Sequence, residues 1–91
     1  MKITRIDFEG ENGATGSIQR QSGSDVIKMT ISTPRHGRFG VHSRIRTLTA
    51  NASSENEQFD AATALQEAMD GCRGTNSMIH DYYRQIQQLA D

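Results

Sequence analysis

A chain of 91 residues with a net charge of −1 holds one small domain, since single cores span roughly 50–250 residues. Leu, Ile, Val and Phe together number 16, under the ~20% share that accompanies disorder, but the low net charge and the periodic segments below exclude a disordered chain and leave a lean core. No run approaches ~18 apolar residues, Met1-Lys2 leads into no apolar h-region, and Cys72 is the single cysteine, so a membrane segment and an internal disulfide are excluded and a reducing, cytoplasmic location is expected.

In chain order, residues 2–9 place Ile6 and Phe8 on one side and Arg5, Asp7 and Glu9 on the other, the period-two signature of a half-buried strand. Asn12-Gly13 follows, a dipeptide that favours positive φ and so closes hairpins. Residues 14–21 alternate Ala14, Gly16 and Ile18 against Thr15, Ser17 and Gln19, and Ser22-Gly23-Ser24 supplies a second turn. Residues 25–33 give the clearest strand, with Ile27, Met29 and Ile31 on one face. Pro34 is expected to close it, leaving Arg35-His36-Gly37-Arg38 as an exposed loop. A fourth strand is expected over residues 39–48, with Phe39, Val41, Ile45 and Thr47 toward the core and His42, Arg44 and Arg46 outward.

Ser54-Glu55-Asn56-Glu57 reads as a capping box, opening a helix over residues 55–72. Ala62, Leu65, Met69 and Cys72 share its apolar side, Phe59 lies at the edge, and Gly71 and Gly74 end it. Thr75 or Asn76 caps a second helix over residues 76–90. Its apolar arc holds Met78, Ile79, Tyr82, Tyr83, Ile86, Leu89 and Ala90, wider than one buried seam needs. Two helices after a meander, with no alternation, predict an α+β fold with an antiparallel sheet of three to four strands.

The charges are unevenly spread. Residues 35–53 carry Arg35, Arg38, Arg44 and Arg46 with His36 and His42 and no acid, whereas residues 54–91 carry seven acids against Arg73 and Arg84. Guanidinium forks suit bidentate pairing with carboxylate or phosphate. Arg35, His36, Arg38, His42, Arg44 and Arg46 therefore form the expected partner- or anion-binding surface; in the competing reading they pair with the chain's own acidic helix or solvate an outer sheet face. Met78, Tyr82, Tyr83 and Ile86 form a second expected interface, through which the chain would meet a partner or assemble into a homodimer or higher oligomer.

Catalytic, metal and cofactor sites are not expected. The glycines of residues 10–16 lack the lysine and following helix of a phosphate cradle. Cys72, placed toward the C-terminus of a helix, reads as core, because the dipole there disfavours a thiolate. His36 and His42 have no companions at metal-ligand spacing, and His80 and Asp81, as helix neighbours, diverge. The expectation is a non-enzymatic protein-interaction module binding a macromolecular partner, with no membrane partner. Nucleic acid, nucleotide or another phosphorylated ligand on the same arginines is the alternative, weakened by the absence of tryptophan and a pI of about 6.3. In size and layout the chain is similar to small phage-encoded inhibitors of host defence such as anti-CRISPR proteins, a group without a common motif. That similarity implies an inhibitor or adaptor, its arginines seated on an acidic surface or its acidic helices imitating nucleic acid.

Overall fold

The computed structural model describes residues 3–89, so the expected strand start at residue 2 and the expected helix end at Ala90 lie outside the described residues. Four strands, β1 (Arg5–Glu9), β2 (Thr15–Arg20), β3 (Val26–Gly37) and β4 (Gly40–Asn51), form an antiparallel sheet in the order β1-β2-β3-β4. Two helices follow, α1 (Glu55–Asp70) and α2 (Asn76–Gln87). The α+β fold expected from the sequence is the fold observed.

The first hairpin turns where Asn12-Gly13 marks it. Asn12 takes φ 56°, and the Gly10 N–H closes the loop on the Ala14 carbonyl at 2.8 Å. Cross-strand partners Ile6 and Ile18, then Ile18 and Met29, put the apolar residues of three strands on one face. Ile18, Ile27, Met29 and Ile31 are buried there under Ala62, Leu65 and Met69 of α1. The opposite face carries Thr15, Ser17, Gln19, Lys28 and Thr30 and has no layer over it, as antiparallel sheets allow.

α1 begins at the expected cap, the Ser54 hydroxyl accepting from the Glu57 amide at 3.3 Å. It crosses the sheet from β4 toward the first hairpin, where Met69 meets Gly10 and Gly16. It ends at Asp70, because Gly71 adopts a left-handed φ of 77°. The expected extension to residue 72 is therefore corrected: Cys72 is exposed beyond the helix and is not a core residue.

α2 is capped by Thr75, whose hydroxyl accepts from the Met78 amide, and it stops at Gln87 instead of running on through Leu89. Leu89 instead forms a parallel bridge to Ile3, tying the end of the described chain to its start. Ile79 and Ile86 are buried, while Tyr82 and Tyr83 lean on Phe8 and Phe59 with ring centroids 5.6 and 6.0 Å apart. Burial raises the Tyr82 pKa above its ordinary value, with the negative charges of Asp70 and Asp81 adding to the effect.

The turn between the helices is held by one buried polar side chain. Gln66, wholly buried, donates to the Asp70 carboxylate and the Cys72 carbonyl at 3.0 Å each and accepts from the Gly74 amide at 2.8 Å. Substituting leucine leaves that amide and carbonyl without their partner inside the protein. Gln66→Leu is expected to lower stability by about 2–3 kcal/mol, read by urea unfolding, with amide protection lost first in residues 71–76.

Candidate cationic arm

β3 and β4 outrun the rest of the sheet. The last pair between β2 and β3 is Thr15 with Ser32, yet β3 and β4 continue pairing from Thr33 with Arg44 to Gly37 with Gly40. Residues 33–44 therefore project as a two-stranded ribbon, and the molecule measures 43 × 28 × 22 Å.

The expected loop at residues 35–38 is corrected to strand, with only Arg38-Phe39 at the turn. Pro34 does not end β3, because β2 has already stopped and no strand pairs with that edge, where the turn at Gly13 lies beside the proline ring; a residue without an N–H is tolerated where no neighbouring strand needs its donor.

The faces of β4 are the reverse of the sequence reading. Leu48 and Ala50 pair with Met29 and Ile27 on the helix-bearing face. Strict alternation from that point carries Arg46, Arg44 and His42 onto the same face as α1, joined by Arg35 opposite His42. Val41, Ile45 and Thr47 point to the uncovered face, along with Pro34 and His36. Phe39, expected in the core, is 90% exposed at the tip, and Val41 and Ile45 are 62% and 66% exposed.

The six expected site residues thus separate. Arg35, His42 and Arg44 line the inner face of the ribbon, Arg46 continues that face at its base, His36 lies on the outer face, and Arg38 sits at the turn with its guanidinium 5.8 Å from the Phe39 ring centroid. Sequence reading missed the exposed apolar set, Phe39 with Val41 and Ile45. Its signal was the pair of glycines, Gly37 and Gly40, that bracket a two-residue turn.

Among the described residues the ion pairs are Arg5–Asp7, Arg20–Asp25 and Arg84–Asp81. Arg35, Arg38, Arg44 and Arg46 take part in none of them, so the reading that pairs these arginines with the chain's own acids is not the arrangement observed. No acid lies between Asp25 and Glu55, and both strands of the ribbon carry positive charge only. A depression of about 310 Å³ where β4 meets α1 is lined by Arg46, Leu48, Glu57, Asp60, Ala61 and Ala64 among others.

The second expected interface is largely used within the chain. Ile86 is buried, and Tyr82 and Tyr83 are half-buried in the aromatic contacts above, leaving Met78 as its exposed member. His80 meets Phe59 at a tilt and Tyr83 edge-on while Asp81 pairs with Arg84, so these neighbours do diverge. Among the described residues no cluster of three or more His, Cys, Asp or Glu could hold a metal, and no helix is long and apolar enough to cross a membrane. Compared with protein-family models, curated proteins and solved structures, the chain matches none of them.

Proposed function

We propose that this chain is a non-catalytic protein-interaction module that engages a macromolecular partner through the β3–β4 ribbon, acting in the cytoplasm as an inhibitor or adaptor of the small anti-defence kind. The observation that carries this reading is the ribbon itself: three arginines on it and Arg46 at its base, none of them in an ion pair among the described residues, and an exposed phenylalanine at the turn. An exposed large aromatic next to arginines has the composition of interface hot spots. The ribbon is therefore favoured over α2, most of whose apolar face is already packed.

A nucleic-acid partner is the second reading, favoured by one feature: a two-stranded ribbon has the width to enter a major groove. Against it stand Glu57 and Asp60, which share a depression with Arg46. They lie where a long polyanion would be repelled within the ~8 Å screening length at physiological salt.

Changing Arg44 and Arg46 together to glutamate tests the proposal. Both are exposed, so the unfolding free energy is expected to stay within about 0.5 kcal/mol of the parent per site. Capture of the partner from the native host is expected to fall at least ~100-fold, through lost attraction and new repulsion. Capture that survives the double change removes the ribbon from the interface. Labelled single- and double-stranded oligonucleotides at ~150 mM salt decide the second reading, since binding there would replace the protein partner with a nucleic acid.

A further inference from the structure

The outer edge of β4 is the feature that the side chains alone do not explain. Edge strands offer a row of unpaired N–H and C=O groups, and proteins usually blunt them by keeping them short, bulged or covered. β4 is the reverse. It is 12 residues long, pairs with β3 without a bulge from Gly40 to Asn51, and has no proline. Residues 40–47 are all exposed. The opposite edge, β1, spans 5 residues, and the Ile3–Leu89 bridge lies next to it.

The side chains along this edge select what can pair with it. On the inner face, His42, Arg44 and Arg46 stand at every second position; on the outer face stand Val41, Ser43 and Ile45. A second copy pairing antiparallel about Ile45 would set Arg44 of each chain directly opposite Arg46 of the other, and like charges facing across a ladder are destabilising. A strand with acids at alternate positions turns that repulsion into cross-strand attraction, and apolar residues between the acids would face Val41 and Ile45.

Room for such a strand is present. The depression of about 310 Å³ beside β4 has Ala61 and Ala64 on its helix side and Arg46 and Thr49 on its strand side. Two alanines at helical spacing leave space where an added strand would direct inward-facing side chains.

We infer that the free edge of β4 is a strand-addition site for an extended protein segment with alternating acidic and apolar residues, the acids meeting His42, Arg44 and Arg46 and the apolar residues meeting Val41 and Ile45. This rests on the protein-partner reading of the ribbon and specifies how it is engaged. Main-chain hydrogen bonds supply affinity in this mode, and the alternate side chains supply selectivity. It also gives the arginines a double role, rejecting another copy of the same edge and accepting an acidic one.

The test uses the full chain and a blocked peptide of alternating glutamate and valine about nine residues long, long enough to span the exposed part of β4. Two further peptides are N-methylated, one at every glutamate and the other at every valine. Successive N–H groups of a strand point to opposite edges, so strand addition needs only one of the two sets. The parent peptide is expected to bind with Kd in the range of about 10–100 μM, one methylated peptide to match it, and the other to lose at least ~10-fold. Arg44→Glu with Arg46→Glu is expected to lose the parent peptide equally, and its binding should move the amide resonances of residues 40–47.

Equal binding of all three peptides would overturn strand addition while leaving charge recognition by the ribbon intact. No binding of the parent peptide overturns the inference, and partner capture by the wild-type chain against the double variant then shows separately whether the ribbon reading also fails. A dimer in sedimentation at tens of micromolar whose formation shifts the amide resonances of residues 40–47 places a second copy on this edge and overturns the acidic segment as its occupant.

Discussion

Gly10→Ala is expected to destabilise the protein by about 3 kcal/mol, at the upper end of overpacking costs. A methyl group on Gly10 would overlap the Met69 carbonyl oxygen and lie 2.6 Å from the Met69 Cα. These are main-chain atoms of α1, two residues before its left-handed end at Gly71, so no rotamer change makes room. The sheet and the helix must separate locally, and the burial of Met69 is weakened with them. Because the clash is with the backbone, trimming the side chain gives no relief: Gly10→Ala combined with Met69→Ala is expected to be at least additive. Urea unfolding of the single and double variants reads both quantities, and recovery in the double variant would show that the side chain, not the helix backbone, sets the limit.

Leu65→Ala is expected to cost about 3–4 kcal/mol, in line with other buried leucines cut to alanine. Leu65 is wholly buried, and its Cδ1 sits 3.0 Å from where a side chain on Gly16 would begin. The sheet beneath is already at contact distance and has little freedom to collapse into the space. Against a total of roughly 5–15 kcal/mol for native domains, and with only 16 large aliphatic and Phe residues in the chain, that loss is expected to leave a measurable unfolded fraction near 37 °C. Ile45→Ala removes the same three carbons from a residue of comparable hydrophobicity, yet Ile45 is 66% exposed, and its change in stability is expected to stay within about 0.5 kcal/mol. Thermal melts of the two variants side by side separate a core residue from an apolar surface residue.

Ile45 also marks where sequence reading failed and why. The strands, the hydroxyl cap at Ser54 and the cap at Thr75 were legible because each is a local pattern: alternation, a hydroxyl three residues before an amide, a turn dipeptide with positive φ; of the expected capping box only the Ser54 half forms, since the Ser54 N–H donates to the Asn51 carbonyl. The faces of β4 were not. Assigning a strand's buried side from its apolar residues assumes that something covers it, and α1 covers only the part of β4 near Leu48 and Ala50. Beyond that point Val41 and Ile45 have no core to enter, so their apolarity carries no information about direction. Pro34 misled in a related way, since its missing N–H ends a strand only where a neighbour needs it. For the candidate surface, the six cationic residues were singled out by composition alone. Their division between two faces and a turn came from register, which pairing partners fix and a single strand does not.

Residues 35–47 are exposed without exception, and none of the buried core residues lies among them. With the proposed function, folding and recognition are written in separate stretches of this chain. Selection on one places few demands on the other: the ribbon can exchange its side chains to follow a changing partner while the sheet and helices beneath stay as they are. A library randomised at positions 35, 38, 39, 41, 42, 44, 45 and 46 is, by the same logic, a library of folded proteins, and the scaffold can be given new specificities without being redesigned.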